Sequence, residues 1–341
     1  MCVLVIGGAG YIGSHVCQAL AQNGFVPVVF DNLSSGHSWA VQFGPFVKGD
    51  VEDEAALLEA FERYEIKAVI YLASLINVRD SITNPALYYE KNLCSALVLL
   101  KAMRKAGVQD LVFSSTAAIY GAPQYIPIDE KHPKAPLNAY GKTKWATEGM
   151  LEDFANAYGL RFVALRYFNA CGADLNGLIG EDHEPETHLI PLVIRTALGL
   201  RPALQIFGDD YATPDGTAIR DYVHVLDLAN AHIKALRYLF THKTSLQANL
   251  GTGSGYSVKQ IVDAVSSFGQ KDVPTQIVPR LPHDSPVLIA DPSLAKKALQ
   301  WEPYYSDLST IISTAWNWQQ VLNNKQAQLH LEALINNKVC K

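Results

Sequence analysis

An apolar run, Val3–Ile6, passes directly into Gly7-Gly8-Ala9-Gly10-Tyr11-Ile12-Gly13, and a helical pattern, Ile12–Asn23, follows. Glycines at this G-x-x-G-x-x-G spacing permit a tight turn and let backbone N–H groups come close to a pyrophosphate. The start of the next helix adds partial positive charge. The arrangement demands a strand, a turn and a helix in that order, so it constrains the N-terminal fold more than any other feature. A second run, Val26–Phe30, ends at Asp31, about twenty residues past the loop. A carboxylate there accepts from a ribose 2′-OH and repels a 2′-phosphate. No Arg or Lys occurs from Asn32 to Ser38, so NAD is expected rather than NADP. The bland alternative, a glycine turn beside a solvated aspartate, is disfavoured by the strand–loop–helix context. Asp50 follows a third apparent strand, where it can reach an adenine or simply cap the next helix.

The first half continues the same rhythm. Helical patterns at Glu52–Tyr64, Tyr88–Ala106 and Ala139–Tyr158 alternate with apolar runs at Ala68–Leu72, Leu111–Ser114 and Phe162–Arg166. Such alternation implies an α/β fold, a Rossmann-type doubly wound parallel sheet covered by helices on both faces. After Tyr167 the rhythm breaks. Asn169–His188 reads as loop, Ile190–Gly199 as helix, Gly208–Gly216 as a turn-rich segment, and Ile219–Leu226 as a strand leading into helix Asp227–Leu239. Gln247–Leu250 reads as a strand, Ser257–Phe268 as a helix, Pro279–Pro286 as a loop, and a last helix starts near Leu308, with a polar tail beyond Asn323 expected to fray. The expected division is a dinucleotide-binding Rossmann domain at 1–168, with further sheet elements from about 219–250, and a smaller mixed α/β substrate domain at 169–341. At 341 residues the chain exceeds one domain of about 100–150 residues.

A net charge of -5 carries no nucleic-acid footprint or polybasic membrane patch. The five cysteines, Cys2, Cys17, Cys94, Cys171 and Cys340, show no C-x-x-C pair, which speaks against a zinc ribbon or redox motif and fits a reducing compartment. Cys2–Ile6 is too short for a secretory h-region. A cytoplasmic protein with no membrane or nucleic-acid partner is expected.

Tyr140 and Lys144 open the helix Ala139–Tyr158 at i and i+4, on one face. A phenol with a pKa near 10 is a poor base at neutral pH. A neighbouring ammonium and a cationic nicotinamide both favour the phenolate, so Tyr140 becomes a usable proton acceptor. Ser114-Ser115-Thr116 ends a strand nearby in the expected sheet, and the Thr116 hydroxyl can bond the reacting oxygen. A surface lysine on an amphipathic helix would give the same spacing; the glycine loop upstream tips the balance towards chemistry.

With these stretches, and with Phe113-Ser-Ser-Thr-Ala-Ala-Ile-Tyr-Gly121, Leu165-Arg-Tyr-Phe-Asn169, Ile206-Phe-Gly-Asp-Asp-Tyr211, Asp215-Gly-Thr-Ala-Ile-Arg-Asp-Tyr222 and Asn249-Leu-Gly-Thr-Gly253, the chain resembles the extended short-chain dehydrogenase/reductases. Within them it is similar to the UDP-glucose (UDP-galactose) 4-epimerases, over nearly its whole length to about Trp318. The resemblance implies tightly held NAD and a 4-keto sugar intermediate, with Tyr140 as acid/base, Lys144 on the nicotinamide ribose, and Thr116 where the family usually has Ser. It places Gly7, Gly10, Tyr11, Ile12, Gly13, Asp31, Asn32, Asp50, Val51, Leu72, Ala73, Asn92 and Tyr167 around the cofactor. It places Phe168, Asn169, His188, Leu189, Phe207, Arg220, Tyr222, Asp284 and Leu288 around a UDP-sugar, with Arg220 on the diphosphate, Phe207 at the uracil and Leu288 limiting sugar size. It also implies a homodimer paired through helices near Asn92–Ala106 and Ala139–Tyr158.

The chain departs from the family at three further points. Leu281 stands where a second diphosphate Arg is usual, Ile76 where many members have Lys, and His188 where Asn is frequent. Arg280 or His283 is a possible replacement for the missing cation. Epimerases of UDP-N-acetylhexosamines or UDP-pentoses, a 4-keto sugar-nucleotide reductase and a non-catalytic NAD-binding protein are the competing readings. Thr116-Ala117-Ala118 lacks the acid that dehydratases and decarboxylases place after the hydroxyl. Glu181-Asp-His-Glu-Pro-Glu-Thr-His188 fits no helix-borne metal pair such as H-E-x-x-H, so an acidic substrate loop and no metal are expected.

Overall fold

The computed structural model describes residues 1–281 and 284–339, with side chains as far as Asn324. Apolar β1 (Cys2–Ile6) leads through the glycine turn into α1 (Tyr11–Gln22), then β2 (Val26–Asp31) and β3 (Phe46–Lys48). Next come α2 (Glu54–Arg63), β4 (Ala68–Tyr71), the short helices α3 (Val78–Thr83) and α4 (Pro85–Tyr88), a π-helical stretch Tyr89–Cys94, and α5 (Ser95–Ala106). The chain continues with β5 (Asp110–Thr116), α6 (Ala139–Tyr158), β6 (Arg161–Tyr167), β7 (Asn169–Cys171), α7 (Leu189–Ala197), β8 (Leu204–Phe207), β9 (Ile219–Arg220) and β10 (Tyr222–His224). It ends with α8 (Val225–His242), β11 (Leu246–Leu250), β12 (Tyr256–Ser257), α9 (Val258–Gly269), β13 (Thr275–Val278), β14 (Val287–Leu288), α10 (Ser293–Leu299) and α11 (Leu308–Val339).

Seven parallel strands form the main sheet in the order β11-β6-β5-β4-β1-β2-β3. The order reverses between β1 and β4, which opens a crevice at the carboxyl ends of the strands, the ligand position of a Rossmann-type fold. Both faces are dry. Val3, Val5, Ile70, Val163 and Leu165 pack on the α1/α8 side, and Leu4, Ile6, Val69, Leu111 and Phe113 on the α2/α5 side. A strand buried on both faces must be apolar throughout, which is why β1 and β4 read as unbroken apolar runs. A separate core of Ile190, Ile194, Ile206, Ile261, Ile311 and Trp316 holds α7, α9 and α11 together.

Several elements differ from expectation. The expected helix Tyr88–Ala106 starts earlier, at Pro85, and passes through the π-helical stretch. There Asn92 turns inward and binds the Leu75 backbone, accepting from Leu75 N at 2.8 Å and donating to Leu75 O at 3.0 Å. Asp53 caps α2 in place of Asp50, accepting from Ala56 N at 3.0 Å. The expected loop Asn169–His188 begins with β7, which pairs in parallel with β10. The expected strand Ile219–Leu226 splits: β9 joins a small sheet with β12 and β14, and β10 joins β7. Of the 219–250 region only β11 enters the main sheet, beside β6. The last helix continues to Val339 where fraying was expected. No described helix is long and apolar enough to cross a membrane.

Candidate active site

The glycine turn is possible only with glycine. Gly7 has φ +81°, and a Cβ there would lie 2.6 Å from Ala73 N; at Gly13 a Cβ would lie 2.0 Å from Gly7 O. The turn therefore packs against the end of β4 and the start of α1. Gly10 caps α1 without a side-chain acceptor, so the first N–H groups of the helix remain available to an anion. Asp31 Oδ2 accepts from Ala9 N at 3.0 Å and Oδ1 from Leu33 N at 2.8 Å. The carboxylate thus ties the glycine turn to the end of β2 and keeps lone pairs for a ribose.

A cavity of about 1150 Å³ runs from this turn across the crevice. That exceeds the usual range of small-molecule sites, about 300–1,000 Å³, and leaves room for a dinucleotide and a second nucleotide together. Gly7, Gly10, Tyr11, Ile12, Gly13, Asp31, Asn32, Asp50, Val51, Leu72, Ala73 and Tyr167 line one part of it. Thr116, Tyr140 and Lys144 lie on its wall. Phe168, Asn169, His188, Leu189, Phe207, Arg220, Tyr222, Asp284 and Leu288 also line it. Asn92 is not on the wall; its side chain is spent on Leu75 and on Thr143 Oγ1 at 3.3 Å, so it shapes the 74–76 backbone from one layer back. Asp50, freed from capping, accepts from Asn32 Nδ2 at 2.8 Å.

The catalytic candidates come together as strand and helix periodicity requires. Ser114 and Thr116 project to one side of β5 and Ser115 to the other. Thr116 shares the cavity wall with Tyr140 and draws the phenol pKa down, Ser114 Oγ meets the Tyr167 hydroxyl, and Ser115 donates to the buried Glu148 at 2.5 Å. Lys144 donates to Ser114 O at 2.9 Å and sits 5.0 Å from the Phe113 ring centroid. Burial raises the Tyr140 pKa, with Thr116 acting in the other direction, and burial lowers that of Lys144 to about 7, partly offset by Glu148. A low-dielectric site disfavours both charged forms.

The departures also find their places. Arg280 leans on Tyr211 at 4.1 Å and pairs with Asp210, Nε to Oδ1 at 2.5 Å, and it is not among the residues that line the cavity. His283 lies outside the described residues. Arg220 faces the cavity but is paired with Asp284 at 2.6 Å. The sequence reading missed Arg79, which lines the cavity with its guanidinium 4.5 Å above the Phe207 ring. It follows Ile76 by three residues, in the first turn of α3, and a cation one helical turn from an expected cation was the available signal. Also missed was the convergence of Glu181, His183, Glu186 and His188 in the cavity wall. Spacing along a loop is no guide to separation in space, so the helix-based test could not detect it.

A model of the NAD dependent epimerase/dehydratase family matches residues 3–251. A UDP-glucose 4-epimerase of Rhizobium meliloti (strain 1021) is 48% identical over 321 residues, 94% of this chain and 98% of that protein. The crystal structure of a UDP-glucose 4-epimerase from Brucella ovis in complex with NAD superposes with a TM-score of 0.91 at 50% identity, over 92% of this chain and 97% of that one. A UDP-Glc/GlcNAc 4-epimerase from Campylobacter jejuni superposes with a TM-score of 0.82 at 37% identity, over 94% and 99%.

Proposed function

Since the chain belongs to the NAD dependent epimerase/dehydratase family, we infer that it is an isomerase that uses NAD to invert C4 of a UDP-sugar, interconverting UDP-glucose and UDP-galactose. The observation that carries this reading is the convergence of Thr116, Tyr140 and Lys144 on the wall of the cavity that holds the glycine turn. The glycine turn, the uncapped start of α1 and Asp31 fit a dinucleotide with an unphosphorylated ribose. When bound, NAD accepts and returns a hydride and brings positive charge beside Tyr140. Tyr140 takes the proton of the sugar 4-hydroxyl and later returns it. Thr116 holds the reacting oxygen in line with Tyr140. Lys144, backed by Ser114 O, orients the nicotinamide ribose. The remaining cavity lets the 4-keto sugar present its other face while the nucleotide stays anchored.

Arg220 and Arg79 supply the diphosphate cations. Arg79 has no carboxylate partner among the described residues, and its stem is steadied by Phe207, the expected uracil neighbour. Residues 1–168 with β11 form the NAD-binding unit, and most of 169–341 the UDP-sugar unit. We further place the enzyme in the cytoplasm as a homodimer paired through α5 and α6. Trp145 on α6 is 46% exposed, in keeping with a face that a second copy covers. A monomer mass in light scattering at micromolar concentration would refute the dimer.

The deciding experiment incubates purified protein with UDP-glucose, UDP-galactose, their N-acetyl forms and UDP-pentoses without added NAD, and reads C4 configuration by NMR. Interconversion of UDP-glucose and UDP-galactose is expected. Epimers of another pair only would move the substrate. No epimer, even with NAD supplied, would favour a reductase or a non-catalytic NAD-binding protein. UDP-N-acetylglucosamine is the second reading, because Leu288 at the family's size-limiting position is intermediate between a side chain that excludes N-acetyl sugars and one that admits them.

A further inference from the structure

The segment between β7 and α7 gathers four side chains to which the proposed epimerisation assigns no proton- or hydride-transfer role. Glu181, His183, Glu186 and His188 each offer one ligand atom, and all four atoms lie within 4.8 Å of one another. His188 Nδ1 is 2.7 Å from Glu181 Oε1 and 3.0 Å from Glu186 Oε1. His183 Nδ1 is 3.2 Å from Glu181 Oε1 and 3.9 Å from Glu186 Oε2. A tetrahedral ion with bonds of about 2.0–2.2 Å keeps its ligand atoms roughly 3.3–3.6 Å apart. The observed separations bracket that spacing.

A second observation comes from Glu186 itself. Its side chain is 1% exposed. Oε1 accepts from Thr187 N, His188 N and His188 Nδ1. Oε2, which faces His183, is buried without a hydrogen-bond partner. A buried carboxylate oxygen left unmet is costly. Histidine–glutamate contacts at hydrogen-bond distance account for Glu181 and for Oε1 of Glu186, but Oε2 has only His183 Nδ1 at 3.9 Å, beyond hydrogen-bond reach. A cation at the centre of the group answers it.

We propose that Glu181, His183, Glu186 and His188 bind a divalent transition-metal ion, with zinc the best match to two imidazoles and two carboxylates. Imidazole nitrogen selects against magnesium and calcium. Four protein ligands leave no open position, the mark of a structural rather than a reactive site. The anchors agree. Glu181 O accepts from Trp318 Nε1 at 2.8 Å. Tyr11, the first residue of α1, sets its ring edge-on to His183 and donates to Gly172 O at 2.6 Å. His188 precedes the first residue of α7. The ion is thus a clasp that joins α7, α11 and the glycine turn across the cavity wall.

The test uses the full-length protein, stripped with EDTA, dialysed, and titrated with Zn²⁺ or Co²⁺ against a chromophoric chelator, with metal counted by plasma mass spectrometry. One ion per chain is expected, bound at about micromolar or tighter, with the intense visible absorption of tetrahedral Co²⁺ and a Tm raised by Zn²⁺. Glu186→Gln and His183→Ala should each lower bound metal at least tenfold, with circular dichroism and elution volume checking that they fold. If either is misfolded, the wild-type Co²⁺ spectrum decides alone. Less than about a tenth of an ion per chain at saturating zinc, an octahedral Co²⁺ spectrum, or equal uptake by folded variants would overturn the proposal.

Discussion

Arg166 grips Glu148 at two points, Nη2 to Oε2 at 2.5 Å and Nε to Oε1 at 2.9 Å, with the two side chains 2% and 3% exposed. Glu148 lies one helical turn beyond Lys144 and also accepts from Ser115 on β5. Arg166 reaches on to the Tyr120 hydroxyl at 3.1 Å, which donates to Asn249 at 2.7 Å. The pair therefore fixes α6 against β5 and β6, and with it the height of Tyr140 above Thr116. Glu148→Gln leaves a buried guanidinium uncompensated. A loss of about 3–5 kcal/mol is expected, readable in urea unfolding. An unchanged unfolding midpoint would show that the pair contributes nothing to α6 placement.

Tyr140→Phe removes the proton acceptor and little volume. The rate of 4-epimerisation should fall by about 10²–10⁴, with Tm and NAD content close to wild type. Retention of more than a tenth of the rate would point to another base.

Arg79 and Arg280 make opposite forecasts. Arg79→Ala should raise KM for the UDP-sugar by about tenfold or more, the scale of one charge-assisted contact. Arg280→Ala, which removes the exposed pair with Asp210 and the contact with the Tyr211 ring, should leave KM within about twofold. Reversed results would assign the second diphosphate cation to Arg280.

Leu288 packs with Phe168 against Ile119, Tyr120 and Ile128. Leu288→Ser should raise kcat/KM for UDP-N-acetylglucosamine relative to UDP-glucose by about tenfold, the scale of a few methylenes. Leu288→Tyr should lower the same ratio. A ratio unmoved by both would place the size limit elsewhere.

Lys144 carries a stability–pH signature in the NAD-free protein. Its folded pKa is lowered by burial from 10.5 to about 7, so between these values the unfolded chain binds more protons than the folded one. Stability then rises with pH across that window, and the penalty for the buried ammonium is in full force below pH 7. Lys144→Met lifts it. The Tm of the variant should exceed wild type at pH 6.5, and the gap should shrink towards pH 9. A gap independent of pH would mean that Lys144 keeps its unfolded-state pKa and stays charged in the native protein across this window.

The sequence by itself determined the sheet and brought Thr116, Tyr140 and Lys144 to one cavity wall. The turn Gly7–Gly13, Asp31 and the pair Tyr140/Lys144 are local patterns whose spacing has one good structural solution, and α6 runs from Ala139 to Tyr158 as its pattern requires. What depended on distant contacts was decided only by the tertiary structure. Asn92 turns from the cavity because Leu75 offers it a donor and an acceptor. Arg280 is drawn off by Asp210. Burial, which no pattern encodes, raises the pKa of Tyr140 and lowers that of Lys144. Glu181, His183, Glu186 and His188 converge because their loop has no repeat, so their separation in space follows from where β7, α7 and Trp318 hold it.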